Sequence, residues 1–201
     1  LDRIRSLLDR LQADGLVVHV NPLQEWCQTG GDHFRSAPIA TLKRLLDQTD
    51  FRVIIKEVGQ GMGPESLRAL LELPLEAIEF AAFGGTNFTL VELDRSAPAM
   101  KAFYEPLTSV GHTAEEMVDI VNHFLETEPE ILCRQLIISG GIKTFLDGFY
   151  LVKKSRLPAI YGQASGFLMH ARENYETLQE YVDYQVKGWQ LAEAYLSPKF
   201  D

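Results

Sequence analysis

Gln135-Leu136-Ile137-Ile138-Ser139-Gly140-Gly141 is a short apolar run that breaks abruptly into a serine and two glycines. A run of this length bounded by glycine reads as a buried strand. Glycines at its C-terminal end permit a tight turn that points main-chain N–H groups outward. The pattern recurs along the chain. Leu16-Val17-Val18-His19-Val20 leads into Asn21-Pro22 and a loop containing Gly30 and Gly31, and Phe51 to Ile55 leads into Lys56 and then Gly59, Gly61 and Gly63. A run near Ala77 to Ala82 ends in Gly84-Gly85, and Ala159 to Tyr161 ends in Gly162-Gln163-Ala164.

Helical patterns fill most of the intervals. Leu1, Ile4, Leu7, Leu8 and Leu11 recur at helical spacing, and further helices are expected over about Ile39 to Leu46 and Glu65 to Leu71. Thr113 and Glu116 have the spacing of a capping box, ahead of an apolar face made by Met117, Val121, Phe124 and Leu125. Another helix is expected from about Thr144. Leu178, Val182, Val186 and Trp189 predict a terminal amphipathic helix packed by that face. The region from Thr89 to Ser109 has no clear period.

Strands alternating with helices at this spacing imply an α/β fold with parallel strands and crossover connections. Alternation alone does not separate a doubly wound sheet from a TIM (β/α)8 barrel. In a barrel every βα loop surrounds one site, whereas a doubly wound sheet concentrates ligand contacts at its switch point. All five strands here end in polar or glycine-rich loops, which fits the barrel better. Five strands do not close one, so three more are expected from an upstream part. The expected organisation is the C-terminal part of a barrel over residues 1–170 and a helix packing on it over 171–201.

With 46% hydrophobic and 23% charged residues, the 201-residue chain has the composition of a globular protein. Its net charge of −9 argues against a general nucleic-acid binder, though not against a phosphate held by main-chain N–H groups. No apolar run approaches the roughly 18 residues of a membrane span. Cys27 and Cys133 are too few for a disulfide framework, and a reducing cytoplasm is the default expectation.

Three groups of residues carry potential chemistry. In His19-Val20-Asn21-Pro22-Leu23-Gln24-Glu25, positions 19 and 21 alternate onto one side of a strand, and Gln24 and Glu25 follow on the loop. A carboxylate there suits a hard cation such as Mg²⁺; otherwise these groups satisfy neighbouring backbone and solvent. Lys56 ends an apolar strand. It either stabilises an anionic phosphate or an electron-rich reduced ring, or it snorkels or pairs with Glu57. Gly84-Gly85-Thr86-Asn87, Ser139-Gly140-Gly141 and Gly162-Gln163-Ala164 offer close backbone approach, and the last two loops of a barrel are its usual phosphate site. His33, His112, His123 and His170 lack metal-ligand spacing and read as surface or loop residues. No nucleophile elbow, Walker loop or H-E-x-x-H motif is present.

Taken in order, His19 to Glu25, Lys56-Glu57-Val58-Gly59-Gln60-Gly61, Gly84 to Phe88, Ser139 to Ile142 and Gly162 to Ala164 resemble successive signatures of the FMN-dependent, type 2 isopentenyl diphosphate isomerases. Their order matches strands four to eight of that family, over most of residues 10 to 170. The H-x-N-P-L-Q-E segment is the most specific; the glycine loops are shared with many FMN-binding barrels. The resemblance implies interconversion of isopentenyl and dimethylallyl diphosphate in isoprenoid biosynthesis, with reduced FMN, Mg²⁺ and NADPH as the flavin's reductant.

It further implies that Lys56, Ala81 and Thr86 contact the flavin, and that Gly140, Gly141, Gln163 and Ala164 hold its phosphate through main-chain N–H groups. His19, Asn21 and Gln24 face the substrate, with Gln24 nearest the reacting end, and Glu25 ligates Mg²⁺. Reduced flavin is the expected carrier of the proton, with the protein supplying orientation and charge. Family members usually have serine or glycine at Ala81 and another residue, often arginine or tyrosine, at Phe83. They commonly form tetramers or octamers. A chain starting at Leu1 is not expected to be active alone. The competing reading is another FMN barrel, an α-hydroxy-acid oxidase or a dihydroorotate dehydrogenase type. Against it, no His-Gly-Gly-Arg-like run follows the strands, and Gly141 is followed by Ile142-Lys143.

Overall fold

The computed structural model of the protein describes residues 1–32, 34–128 and 130–200; His33, read above as a surface or loop residue, lies outside them. Five strands form one sheet: β1 (Gly15–His19), β2 (Arg52–Lys56), β3 (Ala77–Glu79), β4 (Leu136–Ser139) and β5 (Ala159–Gly162). They are parallel throughout and hydrogen-bonded in sequence order, β1-β2-β3-β4-β5. The helices are α1 (Asp2–Leu11), α2 (Pro22–Cys27), α3 (Pro38–Asp47), α4 (Pro64–Leu71), α5 (Phe88–Arg95), α6 (Pro98–Tyr104), α7 (Ala114–Thr127), α8 (Phe145–Lys154), α9 (Ser165–Ala171) and α10 (Tyr175–Tyr195).

Strands added one after another in the same direction, by crossovers of one hand, bring their helices to the same side of the sheet. The burial pattern follows. Val53 and Ile55, Ile78 and Phe80, and Leu136 and Ile138 are buried against Leu42 of α3, Leu67 and Leu71 of α4, Met117, Val118 and Val121 of α7, and Leu151 of α8. The alternate residues form the other face, where Val17 is 53% and Ile160 is 63% exposed. This second face is apolar in its middle and open. It is the face that His19, Lys56 and Glu79 share.

Local chemistry sets the helix starts. Thr113 and Thr144 each head a reciprocal capping box, with Glu116 and Asp147. Asn21, Asn87 and Asn174 accept from the third helical N–H of α2, α5 and α10. The region from Thr89 to Ser109, unreadable by period, consists of α5, α6 with Pro98 in its first turn, and a 3-10 turn over Glu105–Ser109. Pro22 to Cys27, expected as loop, forms α2, because Asn21 caps it and Pro22 occupies its first turn.

The terminal helix differs from expectation in its packed face. In α10 the buried positions are Gly188 and Ala192, whereas Val182 and Val186 are exposed. Small residues let the helix approach closely: a Cβ on Gly188 would meet the Phe145 ring. Trp189 stacks on Tyr161 with ring centroids 5.3 Å apart and meets Phe149 edge-on. Aromatic stacking beside small residues outweighs the hydrophobic period. His170 lies in α9, its ring stacked on Tyr181 at 4.1 Å.

Candidate functional site

Strand register places His19 beside Lys56 and Lys56 beside Glu79 across the open face, at the C-terminal ends of β1, β2 and β3. Ser139, at the end of β4, donates to Glu79 Oε1 (3.1 Å) and accepts from the N–H of Ala81 (3.0 Å). The second bond restrains a tight turn, for Ala81 is held at φ 40°, in the left-handed region. Glycine or serine, expected there from the family, is echoed in this geometry only for glycine, which has no Cβ penalty.

Above these strand ends lies an open cavity of about 400 Å³. Its walls include Lys56, Ala81, Thr86, Gly140, Gly141, Gln163 and Ala164. These are all seven positions at which the family resemblance implied cofactor contact, brought together from four strand ends. Gly140 and Gly141 have φ of 91° and 73°, and a Cβ on Gly140 would collide with the backbone of Ala82. Among the described residues, neither glycine N–H donates a backbone hydrogen bond. Gln163 Oε1 is buried without a partner among the described residues. A group carrying both hydroxyl donors and anionic oxygens would satisfy these atoms.

Glu79 and the Ser139 hydroxyl were not singled out in the sequence. The available signal was a charged residue inside the apolar run Ala77 to Ala82, at a position alternating onto the face of Lys56.

Glu57 begins the loop after β2, and it is 5% exposed. Its Oε2 accepts from the N–H groups of Gly59 (2.6 Å), Gln60 (2.7 Å) and Gly61 (3.0 Å). Burial pushes its carboxyl above the usual range, and these N–H groups oppose that shift. Gln60 extends the scaffold, donating to the carbonyls of Leu107 and Val110 and accepting from Thr89. Gly59 packs so closely on the Thr86 carbonyl that a Cβ would collide with it.

The His19 to Glu25 segment divides. His19 is on the open face beside Lys56, and it is exposed. Asn21 is buried and turned to capping, its Oδ1 2.9 Å from the N–H of Gln24 and its Nδ2 without a partner among the described residues. It lines a different cavity, with Ile55, Leu42 and Glu57, rather than the one walled by the glycine loops. The expectation that positions 19 and 21 share one strand face is not met, since the strand ends at His19. Gln24 and Glu25 lie on α2, not on a loop. Gln24 Nε2 donates to Gln28 Oε1 (2.6 Å), and Glu25 Oε2 accepts from the N–H of Asp32 (3.0 Å). No cluster of three or more potential metal ligands occurs among the described residues.

Nearly the whole chain aligns with proteins of known name. It is 31% identical over 194 residues to the isopentenyl-diphosphate delta-isomerase of Stutzerimonas stutzeri, covering 96% of this chain and 54% of that protein. The chain is a homologue of isopentenyl-diphosphate delta-isomerases. The protein so named from Deinococcus radiodurans is 36% identical over 147 residues, 73% of this chain and 41% of the relative. That from Ignicoccus hospitalis is 31% identical over 184 residues, 90% of this chain and 49% of the relative. The chain therefore spans about half the length of the curated isomerases it matches. No family model matches it. None of the helices among the described residues is long and apolar enough to cross a membrane.

Proposed function

We propose that this chain is the C-terminal part of a (β/α)8 barrel and that the intact protein is a type 2, FMN-dependent isopentenyl diphosphate isomerase. The observation that carries this reading is the convergence of Lys56, Ala81, Thr86, Gly140, Gly141, Gln163 and Ala164 on one cavity. Sequential parallel order and an open, apolar second face support the barrel, because a barrel buries that face against its own remaining strands. The similarity to named isomerases supports the substrate, an isoprenoid diphosphate.

The residues present fit the flavin. Gly140 and Gly141 offer main-chain N–H groups, unpaired among the described residues, to its phosphate, with Gln163 and Ala164 beside them. The buried Gln163 Oε1 suits a ribityl hydroxyl. Lys56 supplies positive charge at the ring edge. When bound and reduced, FMN would supply the proton-transfer chemistry at the alkene. The chain's own residues would orient: His19, the strand neighbour of Lys56, and Gln24, bonded to Gln28 on α2, are the proposed substrate contacts, although neither lines the glycine-loop cavity.

Glu25, one oxygen of which accepts from the Asp32 N–H, is the proposed single protein ligand of Mg²⁺. Mg²⁺ commonly binds through one or two carboxylates, with water and substrate phosphates completing its shell. The proposal also includes NADPH as reductant, a cytoplasmic location and a homo-oligomer, tetramer or octamer. An exposed stripe of Tyr175, Val182 and Val186 along α10 supports association.

The test is flavin retention. The intact protein should purify with FMN or take it up stoichiometrically, and Gly140→Val, which places a side chain against Ala82, should abolish uptake. Uptake unaffected by that substitution would refute the assignment of the phosphate loops.

A further inference from the structure

Glu79 is the one carboxylate among the described residues that wall the glycine-loop cavity. It is the strand neighbour of Lys56, yet no ion pair joins them among the described residues. The Lys56 ammonium donates instead to the Glu57 carbonyl at 2.8 Å. One oxygen of Glu79 accepts from Ser139 at 3.1 Å, and the other has no hydrogen-bond partner among the described residues. Ser139 is itself fixed by the Ala81 N–H, so the carboxylate is oriented by a short chain from β4 back to β3. A cavity wall thus presents a cation and an anion side by side, each held apart from the other.

Such a pair matches a ring edge with a carbonyl next to an N–H. A carboxylate accepts and cannot donate, and an ammonium donates and cannot accept. Resting on the flavin reading above, we propose that Glu79 determines cofactor specificity. Its free carboxylate oxygen accepts from the imide N–H of the flavin pyrimidine, while Lys56 donates to the adjacent ring carbonyl. Hydrogen bonds to charged groups are strong and directional, so a ring unable to donate at that nitrogen loses more than contact area.

Binding of FMN and of 3-methyl-FMN to the intact apoprotein, followed by flavin fluorescence, tests this. The methyl group removes the imide donor and leaves the phosphate and ribityl chain unchanged. The wild-type protein should bind 3-methyl-FMN at least about tenfold more weakly than FMN. Glu79→Leu should narrow that difference to within about threefold by weakening FMN binding. Glu79→Gln, which keeps an acceptor, should retain a preference for FMN, and it serves if the leucine variant does not fold. Equal binding of the two flavins by the wild-type protein would overturn the proposal, as would an undiminished preference in folded Glu79→Leu. Binding of neither flavin would instead refute the flavin reading and this proposal with it.

Discussion

Lys56 donates to the main-chain carbonyl of Glu57, 2.8 Å away, and not to its carboxylate, which is turned into three N–H groups of the following loop. Adjacent residues of opposite charge therefore do different work. Glu57 shapes the loop, and Lys56 keeps its charge available at the cavity wall.

Replacing Lys56 with methionine should thus harm activity far more than stability. The side chain is half-buried and makes one neutral hydrogen bond, so the folding cost should be about 1 kcal/mol. Turnover by the intact protein should fall by about 100-fold, as for loss of an electrostatic stabiliser. Thermal denaturation measured beside steady-state kinetics separates the two effects.

Glu57 should behave in the opposite way. Glu57→Ala leaves the buried N–H groups of Gly59 and Gln60 without this acceptor, while the Gly61 N–H keeps the Ala81 carbonyl at 3.2 Å, and should cost about 3 kcal/mol. Glu57→Gln keeps one oxygen facing them and should cost less. Because burial raises the folded carboxyl above its unfolded value, the folded state binds more protons between the two. The wild-type protein should therefore lose stability relative to Glu57→Gln as pH rises from about 4.3, the ordinary glutamate value, toward the raised folded value. Urea melts of both proteins between pH 4 and 7 measure this difference.

Ala81→Gly should stabilise the chain. At φ 40° alanine carries a left-handed penalty of about 1 kcal/mol that glycine does not. The gain is partly offset by glycine's greater freedom in the unfolded chain. Ala81→Val should destabilise it, and chemical denaturation of the pair gives the sign directly.

The strands and their loops were legible because strands apolar on both faces read as short unbroken apolar runs, and tight βα turns need glycine. Lys56, Gly140 and Gly141 stand at strand ends that were readable for that reason, whereas their cofactor roles, and that of Thr86, came from the family resemblance. Other features were not. Pro22 to Cys27 looks like loop because a six-residue helix has too few turns to show a period. Val182 and Val186 pointed to the wrong face of α10, since Gly188, Ala192 and the Trp189–Tyr161 stack fix its packing from outside the helix. Asn21 was expected on the strand face of His19, but the strand stops before it and the side chain caps α2. Glu79 was hidden in an apolar run whose face only the register reveals.

Glu25→Gln should weaken Mg²⁺-dependent substrate binding and leave flavin retention intact. Glu25 sits on α2, is held by the Asp32 N–H and is absent from the walls of the glycine-loop cavity. Titration of Mg²⁺ at fixed isopentenyl diphosphate should show a shift of about tenfold or more, alongside an unchanged flavin absorbance. Loss of flavin instead would undo this division between substrate and cofactor residues.

The most direct test of the central claim is anaerobic turnover of isopentenyl diphosphate by the intact protein, with FMN either reduced or oxidised and with Mg²⁺ present or chelated. Dimethylallyl diphosphate should form only with reduced FMN and Mg²⁺ together. Equal turnover by flavin-free protein supplied with Mg²⁺ alone would contradict it.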